Sequence, residues 1–247
     1  MRYFIDVSYD GTNYHGWQVQ DNAVSVQGVL NNSLSTVLRE EISTIGSGRT
    51  DTGVHAMMQI VHFDSQQEID SKLLIMKLNS HLPKDIAVNK LAKVKSDVSA
   101  RFNASSRSYI YKIHTRKNPF NQLQSYFYTR SLDLDLMNEC CELLKSWKDF
   151  EALSKVKTEV SNFNCDIYDA RWEKHNEQIH FHVSANRFLR GMVRTLVGTM
   201  LEVGRERMTL ADFQKILESQ DRRKAGRSVP AHGLYLRDIT YPKDIYL

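Results

Sequence analysis

An aspartate and an arginine two residues apart, set among glycines, are the residues of this sequence best placed to do chemistry. Residues 46–56 read GSGRTDTGVHA, so Arg49 and Asp51 lie between a short β-branched stretch and a long apolar one. Such a run is a loop joining strands, in which glycine lets the backbone turn tightly and approach another molecule closely. A carboxylate held charged by a nearby cation can act as base or nucleophile. The plainer reading is a turn in which Asp51 satisfies its own backbone and Arg49 is a surface ion partner. Spacing removes two sharper alternatives. A phosphate loop of the GxxxxGK[ST] kind needs a lysine after its last glycine, and none follows here. A GxGxxG dinucleotide turn begins with Gly46 and Gly48 but meets Asp51 where its third glycine belongs. Asp51, Thr52 and Gly53 also spell the DTG of aspartic hydrolases. Those enzymes share a proton between two carboxylates, and their DTG follows apolar strand residues, whereas Arg49 and Thr50 precede it here. That reading is disfavoured and stays as an alternative.

Other chemistry-bearing residues say less. His180 and His182 are two apart and would share a strand face, yet no third ligand at metal spacing accompanies them, so a hydrogen-bonded pair is expected and no metal. Three cysteines, two of them the adjacent Cys140 and Cys141, form neither a disulfide framework nor a CxxC site, which suits a reducing cytoplasm. Net charge is only +4, but the basic residues cluster in the C-terminal half: Arg187, Arg190 and Arg194; Arg205 and Arg207; Arg222, Arg223, Lys224 and Arg227. Each cluster alone is a solvated face; together with aromatic neighbours they resemble a nucleic-acid surface.

The elements that must position these residues follow from periodicity. Residues 2–9 alternate, with Tyr3, Ile5, Val7 and Tyr9 on one strand face. From Ser25, apolar residues at helical spacing run to about Glu41, and the strand of residues 54–63 follows the opening loop. A second helix starts near Asp70 and stops at Pro83, and residues 86–94 make a further strand. The order β, α, β, β, α, β is the split βαβ plan of a ferredoxin-like domain, with two helices on one sheet face and the other free for a ligand. The polar segment 96–107 marks a boundary, giving domains at 1–103 and 104–247. The order then recurs: a strand at 108–115 with Tyr109, Tyr111 and Ile113 on one face, and a helix from Leu134 with Leu136, Cys140, Leu143, Leu144 and Trp147 inward. Strands follow near 165–172 and 178–184, then a helix over 188–203 whose apolar stripe has a basic edge at Arg190 and Arg194. Thr209 and Asp212 pair as a cap for another helix, and a strand at 233–241 closes the chain. The fold class expected is α+β: two ferredoxin-like domains whose antiparallel sheets join, with an active-site cleft between them. A core of proper size fits the length and composition, and no stretch is long and apolar enough for a membrane span.

GSGRTDTGVHA resembles the signature of the tRNA pseudouridine synthase A family. So do YDGTNYHGWQVQ at 9–20, LPKDIAV at 82–88, ARFNASSRSYIY at 100–111, ANRFLRGMVRTLVGTMLEVGR at 185–205 and AGRSVPAHGLYL at 225–236, all in the family's order. The resemblance implies two ferredoxin-like domains, a homodimer, and no metal or organic cofactor. It implies a tRNA partner, with uridines on the 3′ side of the anticodon stem-loop converted to their C-glycosidic isomer. By motif, Asp51 matches the catalytic aspartate, Tyr109 the pocket tyrosine and Arg194 the arginine paired with the aspartate. Arg49 matches the residue that displaces the target base and holds the phosphate backbone. Arg101, Arg107, Arg187, Arg190, Arg222 and Arg223 are the candidate RNA contacts. Ser47 and Thr52 stand where alanine is usual, Ser99 replaces a frequent histidine, and residues 150–160 are only loosely similar. The competing reading from another class is a noncatalytic RNA-binding protein on the same two domains, which would have no use for the Arg49 and Asp51 pair.

Overall fold

The structure is a computed structural model that describes residues 1–155 and 162–247. The loosely similar segment 150–160 therefore lies partly outside the described residues. The chain is mixed α/β and divides into two compact units, Met1–Ser106 with Tyr235–Leu247, and Arg107–Leu234.

The first unit runs β1 (Arg2–Tyr9), α1 (Val26–Leu38), β2 (Ile45–Gly46), β3 (His55–Asp64), α2 (Ser71–His81) and β4 (Ile86–Val94). Strand β1 is central, antiparallel to both β3 and β4, and β2 continues beyond β3. Both helices begin where a side chain accepts an otherwise orphaned amide: Ser25 from Gly28, and Asp70 from Leu73. Helix α1 ends at Leu38, earlier than periodicity alone suggests, because Arg39 turns left-handed at φ +54°. Tyr3, Ile5, Val7 and Tyr9 are buried, as are Leu30 and Leu34 of α1 and Leu74 and Leu78 of α2. The helix-free face is not all open. Phe4, on the opposite side of β1 from Tyr3, packs with Val94, Val98, Ala100 and Ile245.

The second unit holds β5 (Ser106–His114), β6 (Tyr126–Phe127), α3 (Leu134–Ser146), β7 (Ile167–His175), β8 (Gln178–Ala185), α4 (Met192–Gly204) and α5 (Leu210–Glu218). Strand β8 is antiparallel to β5 and β7, while β6 runs parallel to β5. Two expectations shift. In α3 the buried set is Met137, Cys140, Cys141 and Leu144, with Leu136 and Leu143 only half-buried, so the inward stripe is rotated toward Met137 and Cys141. Helix α4 begins at Met192, not 188: Gly191 takes φ +73°, so Arg190 sits in the preceding turn and Arg194 is the only arginine inside the helix. Most of α4 is buried all round, which leaves no basic edge but Arg194. Thr209 and Asp212 do form the reciprocal capping box that opens α5.

The last strand, β9 (Leu234–Thr240), pairs parallel to β3 through Tyr235 opposite His55 and Leu236 opposite Ala56. It belongs to the first unit, although the sequence places it after the second. The two units share one detail. Asn79 of α2 clamps Val88 of β4 by accepting from its N–H (2.8 Å) and donating to its carbonyl (2.8 Å). Asn138 of α3 does the same to Trp172 of β7, at 2.8 and 3.1 Å. Each helix is thereby tied to the backbone of a strand whose peptide groups would otherwise lack partners.

Candidate active site

The loop carrying Arg49 and Asp51 is clamped between β2 and β3 by the segment after β1. Trp17 N–H donates to the Thr50 carbonyl (3.2 Å) and Gly53 N–H to the Tyr14 carbonyl (3.3 Å). The buried Thr50 hydroxyl bonds the Tyr9 hydroxyl at 2.8 Å. Asp51 accepts from Val54 N–H (3.1 Å) in a four-residue turn, and Gly53 supplies the positive φ (+75°) such a turn needs at its third position. Gly16, at φ +87°, lies so close that a Cβ there would collide with the Thr50 carbonyl oxygen. These contacts leave Asp51 half-buried and Arg49 exposed, two residues apart on a fixed backbone.

The glycines named from the sequence have other reasons to be there. A Cβ on Gly46 would press on the Trp17 indole, whereas one on Gly48 would meet open space. Ser47 is fully engaged: its hydroxyl donates to Gln59 Oε1 (2.6 Å), and Gln59 Nε2 in turn donates to the Gly48 carbonyl (2.8 Å). The hydroxyl that departs from the usual alanine therefore helps hold the loop.

At the far end of the loop, His55 is buried and its Nδ1 accepts from Gly11 N–H at 3.1 Å. The Asp10 carboxylate lies equally near that nitrogen, at 3.1 Å. Asp10 is turned to Thr12, accepting from its N–H (2.9 Å) and hydroxyl (2.5 Å). The Tyr235 ring stacks on His55 at 4.6 Å, which seats β9 beside the loop. Nothing in local sequence spacing joins Tyr9, Gly16 or Gln59 to Asp51; the aromatic and glycine-rich block at 9–20 is the signal for the first two, and Gln59 has none.

In the second unit, burial separates the two tyrosines that share a face of β5. Tyr111 is buried and donates its hydroxyl to the Pro230 carbonyl (2.9 Å), and burial pushes its ionisation far up. Tyr109 is half-buried, opposite Val183 of β8 and edge-on to Phe188 at 5.0 Å. Of the two, Tyr109 is the more exposed. Arg194 anchors residues 225–230 along α4: its Nε donates to the Val229 carbonyl (2.8 Å), and Val229 N–H returns a bond to the Arg194 carbonyl (3.1 Å). Gly226 N–H bonds Thr199 Oγ1 at 3.0 Å, and a Cβ on Gly198 would strike the Arg227 carbonyl.

The other basic candidates are placed differently from one another. Arg107 donates to the Asn186 carbonyl at 2.9 Å, and Arg187 is half-buried while Arg190 is exposed. Arg222 folds back on its own loop, reaching the Gly226 carbonyl (3.2 Å) and the Ser228 hydroxyl (3.2 Å), and burial lowers its pKa. Arg223 forks onto Asp221, whose carboxyl that contact holds down at about 2. Arg101 lies over the Phe102 ring, its guanidinium carbon 5.2 Å from the centroid. His180 and His182 face one another at 6.1 Å, His180 bonded to Gln178 (2.8 Å) and His182 beside Glu173 (2.9 Å). No group of three ligating side chains suited to a metal occurs among the described residues.

A family model of tRNA pseudouridine synthase matches residues 6–103 and 144–242. The chain is similar to proteins named tRNA pseudouridine synthase A. It is 47% identical to that of Bacteroides thetaiotaomicron, covering 100% of this chain and 93% of the relative. Identity is 46% to the protein of Parabacteroides distasonis, over 99% of this chain and 98% of the relative. With that of Caldicellulosiruptor bescii it is 37%, over 96% and 98%.

Proposed function

The chain belongs to the tRNA pseudouridine synthase family, and from that membership we propose that it isomerises uridines of the tRNA anticodon stem-loop to pseudouridine with Asp51 as its catalytic carboxylate. One observation carries the assignment to Asp51: it stands half-buried on a loop whose backbone is bonded on both sides to the segment after β1. A carboxylate with that little freedom is pre-aimed, and pre-aiming is what such chemistry requires.

The reaction breaks the bond between ribose C1′ and uracil N1, turns the base, and joins C5 to C1′; the C5 proton leaves and N1 gains one. Atoms and oxidation state are unchanged, so neither a redox cofactor nor a co-substrate is required. Positive charge develops on the sugar in the first step, and an ionised Asp51 acts there as nucleophile at C1′ or base at C2′. Tyr109 offers its ring to the detached uracil while it turns. Exposed Arg49 displaces the target base and holds a backbone phosphate, and Arg194 takes the role the motif gives it, as the arginine paired with the family's catalytic carboxylate. Arg101, Arg107, Arg187, Arg190, Arg222 and Arg223 supply the cationic surface for RNA, whose recognition is largely shape and phosphate.

At the level of fold, each unit is read as a ferredoxin-like domain, with residues 235–247 counted in the first unit and not, as the division at 1–103 and 104–247 has it, in the second. The order β4-β1-β3-β2 in the first unit and the twin asparagine clamps support it. The working form is a cytoplasmic homodimer. The test is to incubate unmodified tRNA with the purified protein and map pseudouridine. Formation in the anticodon stem-loop is expected. Binding without any pseudouridine would instead make this a noncatalytic RNA-binding protein.

A further inference from the structure

The turn at residues 99–103 holds a large aromatic ring out in solvent on an unusually firm base. Ala100 is 0% exposed, and both of its peptide groups are used: its N–H donates to His62 Nδ1 (3.0 Å) and its carbonyl accepts from the Tyr241 hydroxyl (2.6 Å). Tyr241 is itself set edge-on against Phe4 at 5.0 Å. Around that anchor the turn closes on itself, with Asn103 Oδ1 accepting from Ser99 N–H (2.8 Å) and Asn103 N–H returning a bond to the Ser99 carbonyl (3.1 Å). The next side chain outward, Phe102, is 79% exposed, with the Arg101 guanidinium over its ring.

Exposure of a phenylalanine on a mobile tip would mean little, but here the backbone is fixed from three sides and the ring is backed by a cation. We propose that Phe102 is a base-stacking residue: its ring, with Arg101, receives an unpaired nucleobase of the tRNA other than the target uridine. This rests on the tRNA substrate of the function proposed above. The chemistry favours RNA over a protein partner. A π-face accepts any base without sequence preference, and a guanidinium over it both extends the stack and brings positive charge to a polyanion. A rigid turn leaves little backbone freedom to be lost on binding.

The experiment compares Phe102→Ala, Phe102→Leu and Phe102→Trp with wild type for tRNA affinity across a salt series and for native mass. Because the ring is exposed, all three should melt as wild type does. Alanine and leucine are expected to weaken binding about tenfold, the size of one lost base stack, and tryptophan to restore it. The alanine line should be displaced at all salt concentrations without a change of slope, since no phosphate contact is lost. Unchanged affinity in Phe102→Ala would overturn the inference, as would a change in native mass, which would make the ring a protein contact. The two readings separate cleanly. If wild type binds tRNA but forms no pseudouridine, the proposed reaction is wrong; if wild type forms it and Phe102→Ala binds equally well, only the stacking role is wrong.

Discussion

At the scale of single residues, two tyrosines on one strand face show how burial divides labour. Tyr109→Ala should cut the rate of pseudouridine formation while Tyr109→Phe, which keeps the ring, loses far less, because the proposed role is stacking. Tyr111→Phe should do the reverse, leaving the reaction intact but costing about 1 kcal/mol of stability, since it strands the Pro230 carbonyl. Thermal melts and single-turnover rates on the same variants check both. The sequence distinguishes these tyrosines only through the motif, for alternation puts both on one face and burial is decided by what packs above them. Asp51 is legible for the same reason. Its supports are not: the Tyr9 partner of Thr50 is 41 residues away, and the pairing of Ser47 with Gln59 appears only once β2 and β3 are laid side by side.

At the scale of elements, the loop is set by its neighbours more than by its own glycines. Gly16→Ala must accommodate a left-handed φ and a collision with the Thr50 carbonyl, so roughly 2 kcal/mol or more of stability should be lost, with a larger loss of activity. Gly48→Ala, whose Cβ points into open space, should melt like wild type. Equal melting temperatures for the two variants would contradict this account of the clamp. Strand and helix order was readable along the chain because the apolar periods are long and the caps are explicit at Ser25, Asp70 and Thr209. Two errors have one cause. The apolar run from Phe188 continues the period of α4, and only the positive φ of Gly191 breaks it; the stripe of α3 is turned because Cys141 counts as core. Periodicity reports which residues are apolar, while backbone conformation and packing decide where an element starts and which way it faces.

At the scale of the whole molecule, buried histidines tie stability to pH. Burial lowers the pKa of His62, His114 and His180 from the ordinary 6.5, His180 to about 4 with its neighbours His175 and Lys112 adding to the effect. A lowered folded-state value means that the unfolded chain binds more protons. Stability is therefore complete above about pH 6.5 and is lost as pH falls toward 4, with His180 the largest contributor of the three. Melting temperatures should fall across that window, and His180→Leu should flatten the fall; a flat profile in wild type would contradict it. Return of the C-terminal strand to the first unit is a feature of the architecture that chain order conceals, because β9 finds a partner in β3, far back in the sequence. The proposed activity turns on Asp51. Single-turnover mapping of pseudouridine on unmodified tRNA should find Asp51→Asn slower than wild type by roughly 10²–10⁴-fold or more, with tRNA affinity retained. An Asp51→Asn variant that forms pseudouridine at the wild-type rate would contradict the account.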